Sequence, residues 1–110
     1  MNDRIAYIII LVTCASREEA EEITQVLVAE KLIACGNIVP SVQSIFFWQG
    51  KVSNENESLI LAKSTRDHFP TILKRVKSLH SYTVPEIIAL PVIEGSPDYL
   101  EWISSTVRAT

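Results

Sequence analysis

Glycine is scarce in this chain, with three in 110 residues. A phosphate-cradling loop is built from closely spaced glycines, so a nucleotide site of that kind is excluded. Two cysteines, Cys14 and Cys35, are too few for a disulfide framework. Both lie in or beside apolar runs and read as reduced, buried thiols. No apolar run approaches the roughly 20 residues that a membrane-spanning helix needs. Basic charge is not in excess: 10 Lys and Arg stand against 13 Asp and Glu, for a net charge of −3. The basic residues are scattered, so no nucleic-acid footprint is expected. Repeats, low-complexity tracts and linkers are absent as well.

What remains is a chain with 47% hydrophobic and 21% charged residues, the balance of a globular protein rather than a disordered one. Its length suits one domain, residues 1–110, with a single core. The apolar run at 5–12 follows Arg4 and resembles a signal-peptide core. It is short, and no small-residue cleavage site precedes the acidic stretch 18–22. A cytoplasmic protein is expected.

Residues 5–13 form a β-branched run that predicts a strand buried on both faces. Ser16 followed by Glu19 makes a capping box at the start of a helix whose stripe is Ala20, Ile23, Val26 and Leu27. Gly36 is expected to punctuate its end. Residues 37–48 and 52–64 read as two long strands joined at Gln49-Gly50-Lys51. A second helix is expected from near Asp67, with Pro70 in its first turn and Phe69, Ile72, Leu73, Val76 and Leu79 as its stripe. A short strand at 86–92 follows, where Pro91 suggests an edge. Ser96-Pro97 then opens a third helix bearing Tyr99, Leu100, Ile103 and Val107. The order β-α-β-β-α-β-α predicts an α+β, ferredoxin-like split βαβ with an extra C-terminal helix, its helices on one face of an antiparallel sheet.

The hairpin strands are about twice the usual length and extend roughly 40 Å. A covering helix of about 14 residues spans only about 21 Å. The overhanging end carries Ile45, Phe46, Phe47 and Trp48, which alternate between its two faces. Apolar side chains on both faces of an unsupported hairpin predict self-association. The alternative is a tip folded back onto the C-terminal helix near Tyr99 and Trp102. Trp48, Phe47 and Tyr82 are the expected interface residues.

Four stretches make the chain recognisable. They are Lys-Leu-Ile-Ala-Cys-Gly-Asn-Ile-Val-Pro at 31–40 and Ser-Ile-Phe-Phe-Trp-Gln-Gly-Lys at 44–51. Leu-His-Ser-Tyr-Thr-Val-Pro-Glu-Ile-Ile-Ala-Leu-Pro-Val at 79–92 and Tyr-Leu-Glu-Trp at 99–102 complete the set. With these the chain resembles the CutA family over nearly its whole length. The resemblance implies a ferredoxin-like fold, a homotrimer built like the PII signal proteins, a cytoplasmic location, and a role in tolerance of copper and other divalent cations.

His80 matches a position implicated in copper binding in a bacterial member of that family, so the resemblance implies a metal ligand there. An imidazole suits Cu(II) or another borderline divalent cation. The bland reading of His80 is a hydrogen bond to a helix end or a neighbouring subunit. Two departures bear on the metal reading: Leu79 stands where that member has a second histidine, and Val12 where it has a cysteine. Cys14 lies two residues beyond that position, and the role is not carried to it. One remaining imidazole does not hold a metal tightly unless other groups or subunits supply the remaining ligands.

Cys35 is expected to pack, and His68 to be a solvated surface residue. Glu55 and Glu57 are expected on a solvated strand face; together with Glu86 they are weak candidates for hard cations. No nucleophile–base constellation is evident beyond a Cys35–His80 pairing, so an enzyme is not expected. Two further classes stand beside metal tolerance. One is a PII-like small-ligand sensor using Lys51, Lys63 or Arg66; the other is a scaffold for a partner protein.

Overall fold

A computed structural model of the chain describes residues 6–109. Its elements are β1 (Tyr7–Cys14), α1 (Arg17–Ala29), β2 (Cys35–Trp48), β3 (Lys51–Thr65), a 3₁₀ turn (Arg66–His68), α2 (Phe69–Leu79), β4 (Ile87–Pro91) and α3 (Pro97–Thr106). The four strands form one antiparallel sheet in the order β2-β3-β1-β4. This is the expected split βαβ arrangement with its extra helix. Pro91 is the last residue of β4, an edge strand, where its missing N–H costs the ladder nothing.

Alternation along β1 sets the layers. Ile8, Ile10 and Val12 point to one side with Ile60 and Ala62 of β3. Against them pack Ala20, Ile23 and Leu27 of α1 and Ile72 and Val76 of α2, and this is the core. The other side of β1 is only half-buried, at Ile9 and Leu11. The expectation of a strand buried on both faces therefore fails within one chain, and Ile5 lies outside the described residues. Leu11 pairs with Leu61 and Ile88, Ile9 pairs with Leu90, and Leu59, opposite Thr13, pairs with Val39, so an apolar stripe bordered by Lys63 runs across the face away from α1 and α2.

Ser16 caps α1, its Oγ accepting from the Glu19 N–H at 3.1 Å. Glu19 reaches back one residue further than a standard capping box and takes the Ala15 N–H at 3.0 Å. The helix does not end on Gly36. Lys31 takes the left-handed conformation (φ 59°), and Gly36 already belongs to β2. Gly36 matters there because it lets the sheet approach α1: a Cβ at that position would stand 2.6 Å from Thr24 Cγ2.

Since Gly36 faces α1, its neighbour Cys35 projects to the opposite side of the sheet. Tyr99 of α3 meets Cys35 there. Ile103 of α3 is buried, but outside the α1–α2 core. The third helix thus approaches from the side the first two leave open, and the expectation of all helices on one face is corrected.

The hairpin is longer than expected, with 14 residues in β2 and 15 in β3. Gln49 (φ 52°) and Gly50 (φ 81°) form a two-residue turn whose twist matches the strands. A register shift between Val39 and Val42 marks a bulge beside Pro40, whose carbonyl accepts from Ser58 Oγ at 2.8 Å. The ribbon dominates the molecular extents of 48 × 26 × 22 Å. Its tip does not fold back: α3 holds the Cys35 end of β2, while Phe47 stays 72% and Trp48 49% exposed at the other end.

Candidate functional site

The end of β1, the first turn of α1 and the loop after α2 converge on His80. Its side chain is fully buried. Nε2 lies 2.7 Å from the Thr13 carbonyl, which can only accept, so Nε2 carries the proton. Nδ1 lies 3.0 Å from the Tyr82 N–H, which can only donate, so Nδ1 carries the lone pair. Both ring nitrogens are satisfied in a neutral imidazole.

Glu19 serves two backbones at once. One carboxylate oxygen takes the Ala15 N–H; the other takes the Ser81 N–H at 2.7 Å and lies 3.8 Å from His80 Nδ1. Burial alone would raise its pKa. The hydrogen bonds from Ala15 and Ser81 outweigh burial, and the net value is lowered. Cys14, fully buried, completes the group. One donor atom each from Cys14, Glu19 and His80 lie within 4.8 Å of one another. Burial, with the charges of Glu19 and Glu57 adding to it, pushes the Cys14 thiol up to about 12.

The network continues outward through Tyr82. Its ring sits 4.8 Å from that of His80, and its hydroxyl donates to Glu57 Oε2 at 2.7 Å. Burial, then the hydrogen bond and charge of Glu57, raise the Tyr82 pKa well above its usual range.

Cys14 is the residue that sequence reasoning set aside, because it lies outside the matched position. Strand alternation could have found it: Cys14 and Val12 share a face, and Val12 is buried in the core. Leu79 packs against that core as well. Cys35 is half-buried in β2 at the Lys63 end of the sheet, whereas His80 meets Thr13 at the Leu59 end. The thiol beside His80 is therefore Cys14, not Cys35.

His68 is not a surface residue. It is 4% exposed, with Nδ1 2.6 Å from Thr65 Oγ1 and Nε2 2.7 Å from the Arg108 carbonyl, and so ties the chain end to the start of α2. Glu55 and Glu86 are exposed, but Glu57 is buried, contrary to the expectation of a solvated face. Lys51 stands at the hairpin tip, while Lys63, bonded to Asn37, and Arg66 stand at the far end of β3, so these three cations do not gather into an anion site.

Comparison with known proteins agrees with the fold. Residues 8–106 match the family model described as CutA1 divalent ion tolerance protein. The "Divalent-cation tolerance protein CutA" of Thermus thermophilus is 50% identical over 95 residues, covering 86% of this chain and 92% of that protein. The chloroplastic "Protein CutA" of Arabidopsis thaliana is 40% identical over 101 residues, which is 92% of this chain but 56% of the longer plant protein. Among solved structures, the Thermus thermophilus protein superposes with a TM-score of 0.91 at 47% identity, covering 93% of this chain and 99% of that one. CutA1 from Oryza sativa gives 0.94 at 36% identity, covering 96% and 97%. With the family model spanning all four strands and all three helices, the chain belongs to the CutA1 divalent ion tolerance family.

Proposed function

We propose that this protein serves in tolerance of, or response to, divalent cations, as a cytoplasmic homotrimer that binds Cu(II) weakly and directly at His80. The observation that carries the reading is the approach of Cys14 Sγ, a Glu19 oxygen and a His80 nitrogen to within 4.8 Å. Thiolate, carboxylate and imidazole together suit a soft or borderline cation. Weak binding follows from the same geometry. The metal must displace the Tyr82 N–H from His80 Nδ1, compete with two N–H groups for Glu19, and take the proton from a thiol held near 12.

Self-association is supported by the part of the sheet stripe left exposed at Val39, Ile88 and Leu90 and by the exposed tip aromatics. Three copies rather than two rests on the family. A reducing compartment fits two unpaired cysteines. No enzymatic role is proposed, since the thiol beside His80 stays protonated at neutral pH.

Cu(II) titration of the assembled protein, followed by electron paramagnetic resonance, tests the metal reading. Binding that includes nitrogen coordination is expected, weakened by His80→Ala and by Cys14→Ser. A titration unchanged by both substitutions refutes it.

A further inference from the structure

The three donors around His80 lie behind a strap. Cys14 is wholly buried, as is the His80 side chain, and the Glu19 side chain is 14% exposed. What covers them is the segment 81–86 between α2 and β4, which has no regular secondary structure. Ser81, Thr83, Val84 and Glu86 of this segment are exposed, so little apolar burial holds it down.

Its first two residues close the cluster. The Ser81 N–H occupies a Glu19 oxygen, and the Tyr82 N–H occupies His80 Nδ1. Those lone pairs are the ones a cation needs. The two N–H groups belong to consecutive, planar peptide units, so they withdraw together when the strap lifts. The Tyr82 ring, 4.8 Å from the imidazole, leaves with them.

The strap is fastened from outside the cluster. Among the described residues, one hydrogen bond joins it to anything beyond Glu19 and His80: the Tyr82 hydroxyl donates to Glu57 Oε2 on β3. Glu57 is buried there, and its charge strengthens the bond. Burial and Glu57 also hold the phenol in its protonated, donating form. Tyr82 gives no side-chain atom to the cation, yet lifting the strap breaks this bond along with the two inside.

We propose that the segment 81–86 opens as one unit to admit a divalent cation to Cys14, Glu19 and His80, and that the Tyr82 hydroxyl on Glu57 is the latch that sets how often it opens. What enters rests on the copper reading; the latch itself does not. Tyr82 and Glu57 are positioning residues, and their effect has the opposite sign from a ligand's. A site that is open only a fraction of the time binds more weakly by that fraction, so loosening the latch tightens binding.

Hydrogen exchange of the metal-free, assembled full chain at fixed pH reads the latch. The Ser81 N–H should exchange by a local opening that low denaturant does not change. Tyr82→Phe keeps the ring and removes the bond, and should speed that exchange roughly ten-fold or more, as loss of a charged hydrogen bond does. The Ala15 N–H, on the other oxygen of Glu19, should not follow, and the Ile10 N–H in the central strand should move only as far as global stability moves. Glu57→Gln, which keeps an acceptor but removes the charge, should act in the same direction several-fold, and carries the test if Tyr82→Phe does not fold. The two substitutions should not add, because they break one bond. Cu(II) titration of the same proteins should then show tighter binding in Tyr82→Phe by about the factor seen in exchange. Unchanged Ser81 exchange, full additivity, or copper binding left equal or weakened by Tyr82→Phe overturns the proposal. A parent protein that takes up no copper refutes the proposed function instead, and the exchange result then decides the latch alone.

Discussion

Phe47 offers the cleanest perturbation of the proposed assembly, because it contributes least to the single chain. It is 72% exposed at the hairpin tip, so Phe47→Ala should leave the protomer folded. A phenylalanine side chain carries on the order of 200 Å² of surface, which leaves about 140 Å² for a neighbouring copy to cover. At about 25 cal/mol per Å², that area is worth about 3.5 kcal/mol per chain, or about 10 kcal/mol over three chains. The midpoint of a trimer equilibrium scales as the square root of its dissociation constant, so the midpoint concentration should rise by nearly four orders of magnitude, on the order of 10⁴-fold. Sedimentation across a dilution series reads this directly, with far-ultraviolet circular dichroism confirming that the dissociated chains keep their secondary structure. If Phe47→Ala holds the same mass as the parent at every concentration, the tip is not covered by another copy, and the argument from the overhanging hairpin is wrong.

Glu19→Gln should lower stability by about 1–2 kcal/mol at neutral pH, through its bonds to the Ala15 and Ser81 N–H groups. Because the Glu19 pKa is lowered on folding, this contribution is complete above the usual value near 4.5 and is lost as pH falls through the folded value. Denaturant midpoints of parent and variant should therefore converge in acid, and a gap independent of pH would contradict the sign. Gly36→Ala should cost about 1–3 kcal/mol by forcing a Cβ against Thr24, with partial rescue by Thr24→Ser, which removes the methyl in the way; thermal melts decide it. Iodoacetamide should label the half-buried Cys35 in the native protein and reach Cys14 only on unfolding, as peptide mass mapping would show.

The elements that local rules govern were legible in the sequence. Hydrophobic period located each helix and strand, Ser16 and Glu19 marked the start of α1, and Gln49-Gly50 marked the hairpin turn. The residues that escaped notice are those whose role depends on partners distant in the chain. His68 looks like a surface residue until Arg108, 40 positions away, supplies its carbonyl. Glu57 reads as one acid among several until Tyr82 covers it. Gly36 reads as a helix stop, although its real constraint is the passage of Thr24 over the sheet. The donor cluster is the most non-local of all, since His80 reaches Thr13 across 67 positions and brings Cys14 with it.

The two-residue turn at Gln49-Gly50 has a kinetic consequence. Zipping outward from so tight a corner closes very small loops, and a hairpin of this kind forms in microseconds. β1 must meet β3 across about 50 intervening residues, and in the proposed assembly the copies must then find one another by diffusion. The stickiest part of the molecule is therefore finished first and sheltered last. Refolding should show a fast unimolecular phase followed by a slow one whose rate climbs with protein concentration, and the interval between them is when this chain is most prone to clump.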